Sequence, residues 1–204
     1  MQSLGTNKII LGSSSPRRRE LLSYLVDAKS FEVATPDVDE KKLPHETPKQ
    51  YVRRNAMLKA TAVSKKFSAA AGQRVLVIAA DTIVVFDDQV LEKPVDQKDA
   101  QRMLKLLSGS THQVLTGLVV FEASVPKCKE MVVETEVNFR TLSLAEIDGY
   151  IATGEPMDKA GAYGAQGRGS AWVRSIVGSY TNVVGLPLAE LGEILKNDFA
   201  VTLS

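Results

Sequence analysis

The stretch from Arg74 to Phe86 (RVLVIAADTIVVF) constrains this chain more than any other. Its β-branched and small apolar residues predict one or two strands buried on both faces. Its longest unbroken apolar run, Val75 to Ala80, is far short of the roughly 20 residues that span a bilayer. A buried strand needs partners along its edges, so the rest of the chain must supply a sheet around it. Asp81 stands inside this segment. A carboxylate there has to be paired, protonated, bound to a metal or placed at a strand end, because an unpaired buried charge is too costly. The bland alternative is an acid that caps a strand. Interrupting the most apolar part of the chain favours a chemical role.

Strands and helices interleave around this segment. Lys8 to Leu11 reads as a strand that runs through Gly12 and three serines into a helix opened by Pro16 and capped by Ser15. Phe31 to Ala34 reads as a second strand, and Thr35 to Glu46 as a polar loop. Thr47 and Gln50 form a capping box for a long helix over about Pro48 to Phe67, which Gly72 breaks. Asp87-Asp88 is a turn and Val90-Leu91 a short return strand. Asp96 caps a helix through Leu107, and Gly109 ends it. Thr111–Ala123 and Met131–Leu142 form an antiparallel pair, with Val133, Thr135, Val137 and Phe139 pointing one way. Ser143 and Glu146 cap a helix ending at Gly154. Gly161 to Gly169 is a loop, Ala171 to Val177 a strand and Pro187 to Phe199 a closing helix. The pattern is α/β, with a mixed central sheet and flanking helices. The 204 residues fit one globular domain, or two small lobes sharing a sheet, with no repeat or linker between them.

Lys plus Arg number 25 and Asp plus Glu 24, so the net charge is +1. A dedicated nucleic-acid binder carries a clear basic excess, and nucleic acid is not an expected partner. Any anion site must be local. Cys128 is the only cysteine, which excludes an intramolecular disulfide and fits a reducing compartment. Met1 to Lys8 has no apolar core of a signal peptide, so a cytoplasmic protein without a membrane partner is expected. A P-loop, an H-E-x-x-H helix and paired C-x-x-C motifs are all absent. His112, at a strand start, reads as structural.

Six places look chemical. Gly12 to Arg19 leads from a strand through small residues into a helix N-terminus, where free N–H groups and the helix dipole favour an anion. Ser13, Ser14 and Ser15 offer hydroxyls, and Arg17 and Arg18 offer planar forks suited to phosphate. Arg19 points elsewhere, because successive helical residues diverge by about 100°. Three arginines in a first helical turn, where acids are normally favoured, tilt the site away from a plain capped helix. Asp81 is the second place. Lys59 is the third: it sits mid-arc among Tyr51, Val52, Ala56, Ala62, Val63 and Phe67, with Asn55 one turn earlier. A lysine snorkelling to the edge and a phosphate ligand facing a cleft fit that position about equally. Glu92-Lys93-Pro94 follows a short hairpin that would return Lys93 towards Asp81, although a surface lysine is the better reading of Lys93 alone. Asp39-Glu40 is a loop carboxylate pair able to offer oxygen ligands to a metal. Lys159 to Gly167 is glycine-rich and lets backbone approach a ligand closely.

Together these segments resemble the Maf family. The resemblance rests on Ser13-Ser-Ser-Pro-Arg-Arg18, Ala80-Asp-Thr82, Glu92-Lys-Pro94, Ser108 to Val114 with Thr116-Gly117, Lys159-Ala-Gly-Ala-Tyr-Gly-Ala-Gln-Gly167, and Gly178-Ser-Tyr-Thr-Asn-Val-Val-Gly-Leu-Pro-Leu188. It covers about Lys8 to Leu195. It implies a single domain over 1–204 with two lobes around a cleft, similar to the inosine-triphosphate pyrophosphatase fold. It also implies cleavage of nucleoside triphosphates to monophosphate and pyrophosphate with a divalent cation, Mg²⁺ or Mn²⁺. Asp81 matches the family's proton acceptor. Glu40, Lys59 and Lys93 match other catalytic positions, with Asp81 and Glu40 as metal ligands. Ser13, Ser15 and Arg18 join them in substrate binding. Arg17, Thr82 and Gln166 match positions that tune base choice. The glutamine resembles the dTTP/UTP branch, whereas a glutamate there marks the 7-methyl-GTP branch. Ala165 departs from the larger aliphatic common before that glutamine, which would loosen the base pocket. Alternatives are a house-cleaning enzyme for modified purine nucleotides and a nucleotide-sensing protein in cell division. A homodimer is a further expectation.

Overall fold

A computed structural model describes residues 7–70, 73–125 and 127–203. The strands are β1 (Asn7–Leu11), β2 (Phe31–Val33), β3 (Arg74–Phe86), β4 (Gln89–Leu91), β5 (Thr111–Glu122), β6 (Lys127–Phe139) and β7 (Val173–Val177). The helices are α1 (Pro16–Leu22), α2 (Pro48–Ser64), α3 (Gln97–Leu107), α4 (Leu144–Ile151), α5 (Tyr180–Val184) and α6 (Leu188–Asn197). The strands form one seven-stranded sheet in the order β2-β1-β3-β5-β6-β7, with β4 also paired to β3. β1 is parallel to β2 and β3, and the remaining pairs are antiparallel.

The apolar segment is a single strand, and its pairing creates the functional region. Along one edge, β5 accompanies β3 from Leu76 to Val85. Along the other, β1 covers Arg74–Ile78 and β4 covers Val84–Phe86. Ala79 to Ile83 therefore pair on one side only. Asp81 and Thr82 lie in this gap, where the sheet opens between its two ends.

Strand alternation then sends neighbouring residues to opposite faces. Val75, Val77 and Ala79 pack with Ala56, Ala60 and Val63 of α2. Leu76, Ile78 and Ala80 pack with α1, α6 and the turn after α5. Asp81 continues the first series and faces α2. Thr82 continues the second and faces α1 and α5. α2 can approach closely because β5 carries Gly117 opposite Asp81. A Cβ on Gly117 would lie 2.4 Å from the Val52 carbonyl oxygen.

The far end of the sheet has its own core, in which Leu104, Leu107, Phe139, Tyr163 and Trp172 are buried. His112 belongs here and is structural: it is 2% exposed, and its Nε2 lies 2.8 Å from the Tyr163 hydroxyl. Its ring meets Phe139 and Tyr163 edge to face. Burial pushes its pKa down to about 4, and Nδ1 has no partner to solvate a second proton. The folded state therefore favours neutral His112. Its stabilising effect is present above the unfolded value near 6.5 and fades as pH falls towards 4. Lowering the pH from 7 to 5 is expected to remove about 2 kcal/mol through this residue. Urea unfolding of the wild type and His112→Gln at both pH values checks this: the variant should lack that part of the pH dependence.

Some boundaries differ from expectation. The long helix ends at Ser64 rather than Phe67, and Gly72 lies outside the described residues. The expected loop at Gly161–Gly169 contains short 3₁₀ turns, with Gly161 and Gly167 at positive φ. The second of these, Gly167–Trp172, delays β7 to Val173. α5 was not anticipated. It is a five-residue helix capped by the Ser179 side chain and ended by Gly185 at φ +124°. So short an element lacks enough turns to show periodicity. Among the described residues, no helix is long and apolar enough to cross a membrane.

Candidate active site

Tyr51, Asn55 and Lys59 follow one another at intervals of four along α2, so they form a polar stripe down its buried face. That stripe meets Asp81. Lys59 Nζ lies 2.7 Å from Asp81 Oδ1, and Asn55 Nδ2 donates to Asp81 Oδ2 at 3.2 Å. The same ammonium lies 2.7 Å from Glu40 Oε2. Lys59 and Asp81 side chains are each 10% exposed, so Lys59 is a buried ion partner and does not snorkel. Glu40 is more open and hangs from the loop before α2. Tyr51 fastens that loop: its hydroxyl lies 2.7 Å from the Glu40 carbonyl oxygen and also contacts the Glu92 carboxylate. Burial and the bond to Glu92 raise the Tyr51 pKa, so it remains a phenol at neutral pH.

On the other face, the serine–arginine turn folds as its sequence predicts. Ser15 caps α1, accepting a long 3.5 Å bond from Arg18 N. Ser13 is buried and accepts from Ser15 N at 3.2 Å. Arg18 is not a free phosphate fork. Its Nε donates to the Gly185 carbonyl at 2.8 Å, its Nη2 to Thr82 Oγ1 at 3.0 Å and its Nη1 to Ser13 Oγ at 3.4 Å. Burial lowers its pKa, and the charge of Asp81 opposes this. Arg17 reaches across to Asp158, 3.3 Å away. Arg19 is exposed.

A cleft of about 1310 Å³ joins these groups. Ser13, Ser15, Arg17, Arg18, Glu40, Lys59, Asp81, Thr82, Lys93 and Gln166 all line it. The two ends of the row are unlike. Acids and cations surround Asp81, while Val84, Met103, Val114, Val183, Ala165 and Gln166 form a more apolar end. Lys93 does line the cleft, but no hydrogen bond or ion pair joins it to Asp81. The hairpin returns alongside the far end of β3, so it is Glu92 that engages Tyr51. Asp158, Tyr51, Thr116 and Asn182 also contribute, although the sequence assigns none of them a role. Tyr51 at four-residue spacing from Asn55 and Lys59 carried a readable signal. The others are brought in by tertiary pairing alone.

No group of three or more His, Cys, Asp or Glu side chains able to hold a metal occurs among the described residues. Asp81 and Glu40 nevertheless converge on one point, the Lys59 ammonium. Two carboxylates aimed at one position suit a hard cation whose other ligands are phosphate and water oxygens, which is how Mg²⁺ is commonly held. The donor set fits a substrate-completed cation site and does not fit an all-protein cage.

The chain as a whole is similar to known proteins. A family model described as Maf-like protein matches residues 8–198. A dTTP/UTP pyrophosphatase of Vibrio cholerae serotype O1 is 51% identical over 189 residues, covering 93% of this chain and 97% of that protein. One from Yersinia pestis bv. Antiqua is 50% identical over 192 residues, covering 94% and 93%. One from Anaeromyxobacter dehalogenans is 49% identical over 191 residues, covering 93% of each. With the family model spanning nearly the whole chain and relatives at about half identity over nearly their full length, this chain belongs to the Maf-like protein family.

Proposed function

We propose that this chain is a divalent-cation-dependent nucleoside triphosphate pyrophosphatase, acting on dTTP and UTP and releasing the monophosphate and pyrophosphate. The observation that carries the reading is the convergence of Asp81 and Glu40 on Lys59 in the gap of the sheet, beside the N-terminus of α1. The relatives' names supply the substrate class.

The triphosphate lies between the α1 N-terminus and the Lys59–Lys93 side of the cleft. Free N–H groups of the Ser13–Arg17 turn receive phosphate oxygens. Arg17 exchanges its partly exposed bond to Asp158 for the substrate. A Mg²⁺ or Mn²⁺ ion held by Asp81 and Glu40 supplies charge neutralisation and polarises the phosphoryl oxygens when bound. Asp81 orients a water and accepts its proton as oxygen attacks the α-phosphorus. The bond to the bridging oxygen breaks and pyrophosphate leaves. Lys59 holds both carboxylates in place through its ion pairs, and Lys93 faces the accumulating charge on the leaving group. Gln166 at the apolar end and Thr82 in the sheet gap read the base. The small Ala165 widens that end and admits modified pyrimidines. The chain works as one domain over 1–204, its two lobes meeting at the sheet gap.

Pyrophosphate release from a panel of natural and modified triphosphates, with and without Mg²⁺, tests this reading. Turnover confined to modified purines would favour a house-cleaning role, and binding without release would favour a nucleotide sensor. The panel also tests Gln166. Its amide can donate to uracil O4, whereas a carboxylate only accepts. Gln166→Glu is expected to cut the preference for UTP over 7-methyl-GTP by about tenfold or more. An unchanged preference would remove Gln166 from base reading.

A further inference from the structure

The Gly178–Leu188 segment has no part in the mechanism above, yet its residues converge on Thr82. Asn182 is fully buried, and its Nδ2 donates to the Val114 carbonyl at 3.1 Å and to Thr135 Oγ1 at 3.0 Å. This pins α5 against β5 and β6. Two carbonyls of the pinned segment then accept from side chains around Thr82. Gly185 O accepts from Arg18 Nε at 2.8 Å, and Asn182 O accepts from Thr116 Oγ1 at 3.2 Å. Thr116 is itself fully buried, opposite Thr82 on β5, with 2.9 Å between the two hydroxyl oxygens.

These contacts form a chain with fixed ends. Arginine only donates and a carbonyl only accepts. The arrangement that uses every proton at short range runs Arg18 to Thr82 to Thr116 to Asn182 O, over 3.0, 2.9 and 3.2 Å. The reverse setting of the central bond would leave the Thr82 proton only Gly185 O, 3.5 Å away and already taken by Arg18. The Thr82 proton thus points inwards, and the cleft receives only a lone pair. Gly185 keeps that oxygen open. A Cβ there would stand 3.6 Å from both Thr82 Oγ1 and Arg18 Nε, and φ of +124° disfavours any side chain.

Building on the pyrimidine-nucleotide reading, we propose that Thr116 is a positioning residue for base discrimination: it sets Thr82 as an acceptor, which selects pyrimidines that present a ring N3–H. Uracil and thymine carry N3–H, whereas cytosine carries a bare N3 acceptor. Cytosine would bring two lone pairs together, a repulsive element of the kind specificity requires.

The test is binding of α,β-methylene-UTP and α,β-methylene-CTP with Mg²⁺, measured by calorimetry on the full chain. The wild type should prefer the uracil analogue. Thr116→Val keeps the side-chain shape but frees the Thr82 proton, so the preference should fall about tenfold. Thr116→Ser should retain it. In a Thr82→Val background, Thr116→Val should have no further effect on the ratio. Loss of packing alone would weaken both analogues alike and leave the ratio in place. An unchanged ratio in Thr116→Val, or the same fall in the Thr82→Val background, overturns the proposal, as does a wild type without preference. If Thr116→Val does not fold, Thr82→Val alone decides, since removing the acceptor must also erase the preference. Failure of the enzymatic reading looks different: the unaltered protein would release no pyrophosphate from UTP while its binding ratio stood.

Discussion

Replacing Asp81 by Asn is expected to lower pyrophosphate release by a factor on the order of 10³ or more while leaving the melting temperature within a few degrees of wild type. The substitution changes one oxygen to an NH₂ and keeps the shape. The proposed mechanism gives Asp81 three roles that only a carboxylate can fill at once: it balances Lys59 at 2.7 Å, offers an oxygen to a cation and accepts the proton of the attacking water. The amide cannot take up that proton, so the effect falls on kcat. Lys59 keeps Glu40 as a partner, which limits the cost to folding. Steady-state turnover of UTP with a thermal melt on the same preparation checks both halves. Retained turnover would remove Asp81 from the chemistry, and a lost fold would make it a structural counter-ion.

Lys59→Met is expected to destabilise the protein by about 3 kcal/mol and to abolish turnover. The reason differs from that for Asp81. The Lys59–Asp81 pair is buried on both sides, so removing the ammonium strands a carboxylate in the core of the α2–β3 contact. Glu40 is 42% exposed, and water screens its share. The variant also reports on the cation. With the ammonium gone, Asp81 and Glu40 face an uncompensated point, and Mg²⁺ or Mn²⁺ should raise the melting temperature of Lys59→Met more than that of wild type, by mass action. The readout is the difference between melts with and without the ion. No shift in either protein would take the metal away from Asp81 and Glu40.

Much of the local structure was legible. The capping boxes at Thr47/Gln50 and Ser143/Glu146 form as read, because their partners are three residues apart and need no tertiary context. The Asp87-Asp88 turn and the alternating face of β6 are equally local. The short α5 and the 3₁₀ turns around Gly167 were not legible, since elements of a few residues carry no period. Sequence also left Lys59 undecided between snorkelling and a cleft. A helical wheel gives direction around one helix and says nothing of what lies opposite.

By itself, the sequence determined that a carboxylate would lie inside the most apolar strand, that a helix would begin at the serine–arginine turn, and which side chains had the chemistry for phosphate. These follow from short-range sterics, capping and the cost of burying charge. Only the tertiary structure decided what each of them touches. β1 and β4 leave one edge of β3 open between Ile78 and Val84, and that gap, joined to strand alternation, sends Asp81 to the Lys59 face and Thr82 to the Arg18 face. It also made Arg18 the head of a hydrogen-bonded chain ending at Asn182. Sheet order and helix approach bring together residues separated by up to 167 positions, and no local rule specifies such encounters.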